Sequence, residues 1–191
     1  MSQSFRGDAP LASRDFFSLL GLPPRFAIDA EALERAWRSV QAAVHPDRFA
    51  SGTDAQKLMA LRYSTQVNEA HETLKDPIKR AGYLCQLHGV EIDAERNTAM
   101  PAEFLVQQME WRESMEDSVG ARDIQGLSQL MQEVQASLAE SELLVEHLLD
   151  SVQPNYEKAA QEVRRMMFLV KFKSQLVEEQ KRVSHGAAAN R

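Results

Sequence analysis

The 191-residue sequence predicts an all-α protein in two units, and three observations predict it. No segment sustains the apolar–polar alternation of a strand, while apolar residues recur at helical spacing throughout. Prolines and glycines fall between those periodic stretches, where they stop one helix and start the next. The charge balance also changes near residue 90. Residues 14–88 carry ten Lys/Arg and nine Asp/Glu, residues 91–150 three against fourteen, and residues 154–191 eight against four. The expected division is a disordered extension at 1–12, a first unit at 13–88, a linker at 89–99, a second unit at 100–184 and a tail at 185–191.

In the first unit, Ser13 is placed to cap a short helix from Asp15 to Leu20, which Gly21 and Pro23-Pro24 stop. Asp29 caps a second helix, with Glu31 in its first turn. Leu33, Trp37, Val40 and Val44 form one apolar stripe on it, with Arg35 and Arg38 on the opposite side. Pro46 ends it, because the residue before a proline is pushed out of the helical region. After a loop through Gly52, Thr53-Asp54-Ala55-Gln56 fits a capping box for a third helix. Leu58, Leu61, Val67, Ala70 and Leu74 are its expected buried face. Asp76-Pro77 breaks it, and Pro77 opens a fourth helix through Leu87. Helices two and three thus form a hairpin with His45-Pro46-Asp47-Arg48 at its tip.

The second unit reads as three longer helices. The first spans about Pro101 to Ser118, with Gly120 as its stop, and the second about Arg122 to Ser151, with a possible break at Gly126. The third spans about Pro154 to Val183. Short connections between long helices imply antiparallel neighbours, and a three-helix bundle is the simplest packing.

Composition narrows the function. A net charge of −6 argues against a general nucleic-acid binder. The single cysteine, Cys85, sits in an apolar helical stretch and reads as a buried structural thiol, and it cannot build an internal disulfide or a multi-cysteine metal site. His71, His88, His147 and His185 show no ligand spacing. No Gly-rich phosphate loop and no nucleophile or acid–base constellation is legible, so neither a cofactor nor enzymatic activity is expected. No apolar leader or membrane-length run is present, and the expected location is the cytoplasm.

The tip and its flanks resemble the J domain of the J-type co-chaperones. Asp15-Phe16-Phe17-Ser18-Leu19-Leu20-Gly21-Leu22 is similar to that fold's opening helix. Asn68-Glu69-Ala70-His71-Glu72-Thr73-Leu74-Lys75-Asp76-Pro77-Ile78-Lys79-Arg80-Ala81 is similar to its third helix and following turn. With an acidic helical unit directly behind it, the chain resembles the HscB co-chaperones of iron–sulfur cluster assembly, in their bacterial form. Residues 80–89 and Phe168-Leu169-Val170-Lys171 resemble that family too, and the likeness covers roughly residues 14–183. It implies an L-shaped molecule with two partners, a heat-shock-type ATPase chaperone (HscA-like) and a cluster scaffold protein (IscU-like).

The resemblance implies that His45, Pro46 and Asp47 dock on the ATPase, with Arg48, Arg35 and Arg38 as a basic surface beside them. The family usually has lysine where Arg48 stands. A solvated helix face is the competing reading for Arg35 and Arg38. On the first helix of the second unit, Phe104, Trp111 and Met115 share the line that suits a core. Leu105, Val106 and Met109 form a second apolar strip, bordered by Glu110, Glu113 and Asp117. That strip is either a wide core face or an exposed partner site. The resemblance implies that it binds the scaffold and that Phe168 completes it. Two rivals stand: a J protein with another client, and a non-chaperone helical adaptor that oligomerises.

Overall fold

A computed structural model describes residues 15–92 and 100–188. They fall into two units, one ending at Leu84 and the other starting at Cys85. The first unit begins with α1 (Phe16–Leu20), and Asp15 rather than Ser13 caps it, accepting from Ser18 N at 2.9 Å. Ser13, the extension at 1–12 and residues 93–99 of the linker lie outside the described residues. Gly21 ends α1 at φ 66°, a left-handed position that a Cβ would strain. Tyr83 then locks the helix: its ring stacks on Phe16 at 4.5 Å, and its hydroxyl accepts from Phe16 N at 2.9 Å.

The hairpin is α2 (Ala30–Val44) and α3 (Asp54–Lys75), followed by α4 (Pro77–Leu87). Asp29 caps α2, and Thr53 and Gln56 form the reciprocal capping box of α3. The expected loop after Pro46 is instead a 3-10 turn, Pro46–Phe49. On α2 only Leu33 is fully buried; Trp37, Val40 and Val44 are partly so. The α3 face differs from expectation. Ala60, Ser64, Val67, Ala70, His71 and Leu74 are buried, whereas Leu58 and Leu61 are 49% and 55% exposed. At about 100° per residue, those two leucines lie well off the line through Ala60, Ser64 and Val67.

A polar clip joins α2 to α3 beside this core. The His71 side chain is almost wholly buried, and its Nε2 lies 2.9 Å from Glu34 Oε1. Trp37 stacks over the imidazole at 4.5 Å and donates its indole N–H to Asn68 Oδ1. Lys75 and Arg38 approach the same carboxylate at 3.8 Å. The His71 hydrogen bond, reinforced by the cations, holds the Glu34 carboxyl below its ordinary value of 4.5. A group depressed in the folded state stabilises above its unfolded pKa, and that contribution is lost as pH falls through the folded pKa. The melting temperature should therefore fall as pH drops below about 4.5, and Glu34→Gln should reduce that slope. Circular dichroism melts across the acid range measure both.

In the second unit, α5 (Ala102–Gly120), α6 (Ile124–Asp150) and α7 (Tyr156–Ala188) form the expected three-helix bundle. Phe104 and Trp111 from α5 meet Leu127, Leu130 and Val134 from α6 and Leu169, Phe172, Leu176 and Val183 from α7 in one core. Gly120 is the last residue of α5 rather than its stop; the reversal falls at Arg122, φ 55°. No break occurs at Gly126. Asp123 caps α6 by accepting from Gln125 N and Gly126 N at 3.0 Å, and a Cβ at Gly126 would meet the same carboxylate at 2.6 Å. The glycine makes room for the cap. Asn155 caps α7, which runs through Ala188, past the expected end at Val183 and into the expected tail. Ser184 Oγ donates to Gln180 O there, so its hydroxyl is absorbed by the helix it was expected to leave.

The division at Leu84/Cys85 falls inside α4, four residues before the expected boundary. Within the second unit His88 stacks on Tyr156 at 3.9 Å, and Cys85 Sγ donates to Tyr156 O. The Cys85 thiol is fully buried, and burial, with Glu157 adding to it, pushes its pKa up to about 11. It is therefore the inert thiol the sequence implied.

Candidate functional site

Two surfaces gather the residues singled out from the sequence, one in each unit. The first is the hairpin tip. His45 ends α2 with φ −58° and ψ 131°, the extended backbone that a following proline imposes. Pro46 then starts the 3-10 turn, and its fixed φ suits a first-turn position. His45 Nδ1 accepts from Asp47 N at 3.3 Å, so the imidazole caps the turn it precedes. In the neutral ring that leaves the proton on Nε2, facing away from the cap. Asp47 is 90% exposed and holds Oδ2 3.5 Å from Nδ1. Sequence alone could not assign the tautomer; the capping geometry does.

Arg48 ties the turn back to the helix. Its Nη1 donates to Ala42 O at 3.2 Å, one of the carbonyls that the end of α2 leaves without an intrahelical donor. Arg35 and Arg38 lie on the exposed face of α2 as expected, 66% and 74% exposed. Neither is a bare cation. Arg35 pairs with Glu31 at 3.2 Å and Asp29 at 3.6 Å, and Arg38 with Glu34 at 3.8 Å. Such exposed pairs are each worth about 0–1 kcal/mol, so a partner carboxylate could exchange with them at little cost.

The second surface is on α5. Phe104 and Trp111 are buried, and Met115 packs partly against the same core. Leu105, Val106 and Met109 are 44%, 54% and 71% exposed, so they are an open strip rather than part of a wide core face. Val106, Glu110, Glu113 and Asp117 follow at i, i+4, i+7 and i+11, and the three carboxylates are exposed along one line below the strip. Phe168 is different. It is half-buried, stacks on Phe172 at 5.8 Å and meets Phe104 edge-on at 5.6 Å. It supports the core and only its remaining edge reaches the surface.

Sequence reasoning missed Arg165. Its guanidinium lies over the Phe104 ring at 4.7 Å and donates to Ser137 Oγ at 3.0 Å. With Val106, Glu103 and Glu110 it lines a cleft of about 410 Å³ beside the strip. The signal was the Arg164-Arg165 pair inside the apolar run of α7. Arg164, buried, donates instead to Ile92 O.

Two family models match the chain. One, described as the DnaJ domain, covers residues 15–83; the other, the HSCB C-terminal oligomerisation domain, covers residues 100–177. A relative from Burkholderia mallei (strain SAVP1), named a co-chaperone protein HscB homolog, is 44% identical over 169 residues, 88% of this chain and 95% of its own. The chain belongs to the HscB co-chaperone family. A Burkholderia multivorans HscB homolog is 48% identical over 84% of this chain and 90% of its own. The solved HscB of Vibrio cholerae matches with TM-score 0.81 at 34% identity, covering 88% of this chain and 99% of that one. Human HscB matches with TM-score 0.81 at 27% identity, covering 90% and 85%.

Within this HscB chain the tip lies in the DnaJ-domain match and the α5 strip in the C-terminal match. A J domain in an HscB chain implies an Hsp70-type chaperone as partner. Among the described residues no helix is long and apolar enough to cross a membrane.

Proposed function

We propose that this chain is a cytoplasmic co-chaperone of iron–sulfur cluster assembly with two docking surfaces and no catalytic centre of its own. The hairpin tip engages an HscA-like ATPase chaperone and stimulates its ATP hydrolysis. The α5 strip holds an IscU-like scaffold protein and delivers it to that chaperone. The observation that carries the reading is the preorganised tip. One imidazole nitrogen caps the turn, the other is left as an outward donor, and the neighbouring Asp47 carboxylate is open to solvent. A turn fixed before binding loses little entropy on docking, and an exposed carboxylate beside a ring donor suits a cationic and polar partner surface.

Leu105, Val106 and Met109 supply apolar area for the scaffold, and Glu110, Glu113 and Asp117 set its orientation. Phe168 contributes its open edge and, through Phe104, the shape of the patch. Joining both sites on one chain replaces a chance encounter of ATPase and scaffold by a local one at high effective concentration.

The test is an ATPase assay of the cognate chaperone. Stimulation by this protein that rises further with scaffold protein is expected. Stimulation indifferent to scaffold would leave a J protein with another client. No stimulation would leave a non-chaperone adaptor whose acidic bundle self-associates.

A further inference from the structure

A small apolar cleft of about 170 Å³ opens where the tip meets the start of α3. Val44, Phe49, Met59, Ala60 and Tyr63 line it, and Gln56 is its one polar wall. The Gln56 side-chain carbonyl is already committed, accepting from Thr53 N at 2.8 Å. Val44 directly precedes His45, and Phe49 closes the turn that Pro46 begins. A partner that contacts His45 and Asp47 therefore reaches the mouth of the cleft without leaving the surface. Met59 is 52% exposed there.

We propose that this cleft receives an apolar side chain of the same ATPase chaperone, carried on a segment that also bears carboxylates. The proposal rests on the docking reading of the tip. Charge selects the occupant. Arg48, Lys57 and Arg62, all exposed, border the lining residues, against Asp47 and Asp54, and Asp54 is already 4.0 Å from Lys57. Two such rims brought together would oppose like charges, which disfavours a second copy of this chain, whereas an acidic segment is attracted to one. The volume accommodates one large aliphatic side chain, and a desolvated apolar anchor beside a polar contact is the usual make-up of a binding hot spot.

The experiment titrates the full-length protein against the chaperone and reads steady-state ATP hydrolysis. Met59→Asp is expected to raise the concentration for half-maximal stimulation about tenfold while maximal stimulation is kept, and Met59→Leu to restore it. His45→Gln, run alongside, loses the maximum instead. A folded Met59→Asp protein with an unchanged titration overturns the cleft and leaves the tip standing. Full stimulation by His45→Gln overturns the tip and the cleft with it. A photo-crosslinker on the Met59→Cys variant adds a readout independent of that substitution's folding, since the buried Cys85 thiol stays silent. Crosslinks to the chaperone support the proposal, and crosslinks confined to residues 1–14 of this chain or to a second copy overturn it.

Discussion

A folded His45→Gln variant should no longer stimulate the chaperone ATPase. The imidazole has two tasks that no single replacement reproduces. Nδ1 accepts the Asp47 amide and fixes the turn, while the second nitrogen projects as a donor. Glutamine offers an outward amide N–H but on a longer, freer side chain that is a poor cap. Asparagine caps well but is too short to present the donor. Both His45→Gln and His45→Asn are thus expected to lose at least about 2 kcal/mol of coupling, roughly a thirtyfold loss of stimulation at fixed concentration. Asp47→Asn should lose a similar amount, because it keeps the shape of the carboxylate and removes its charge. Asp47 is 90% exposed, so Asp47→Asn should melt near wild type, and the His45 variants should melt only slightly below it, since the cap they lose holds a single exposed turn. Single-turnover ATP hydrolysis with and without each variant checks this, and full stimulation by a folded His45→Gln protein would exclude the tip as the docking element.

The basic surface beside the tip should act on rate more than on affinity. Arg35 and Arg38 are already partnered by carboxylates one turn earlier on α2, so their field is partly cancelled. Arg48 has a local duty as well, bridging to Ala42 O. A guanidinium can donate to the helix end through one nitrogen and keep others for a partner, which an ammonium would do with less directional control.

Most of the fold was legible because helix ends are written in short-range chemistry. Asp29, Thr53 with Gln56, and Pro77 each act within one turn of themselves, and each is found where its type predicts. The misses share a different cause. Leu58 and Leu61 are apolar at helical spacing, yet which face of α3 is buried depends on where α1 and α2 lie, and that is long-range information. In the sequence His71 is one scattered histidine among several, because Glu34, its partner, is 37 residues away. Gly126 reads as a break in the sequence because its use, admitting the Asp123 carboxylate, exists only once the helix has formed. At the site, the α5 carboxylate line was readable from spacing alone. Spacing does not separate the α5 strip from a wide core face, because the difference lies in how α6 and α7 cover Phe104 and Trp111 and leave Leu105, Val106 and Met109 open.

Paired substitution of Leu105 and Met109 by alanine should remove most of the scaffold affinity while sparing the bundle. The two side chains sit one turn apart and are 44% and 71% exposed, so neither holds the core. Burying each against a partner is worth about 1.5–2 kcal/mol, and losing both about 3–4, roughly a hundredfold to a thousandfold in affinity. Phe168 is left out of the variant because its contacts with Phe104 and Phe172 would bring a folding loss into the same number. Reversing charge at Glu113 and Asp117 should give a smaller loss that shrinks as salt is raised, since those carboxylates are exposed and screened. Calorimetric titration with the purified scaffold separates the two effects. An unchanged affinity for the folded Leu105/Met109 double variant would leave the strip without a role in scaffold binding. Loss of scaffold binding with ATPase stimulation intact would show the two surfaces to be separable, since the hydrogen bonds that fix the tip lie within residues 42–50.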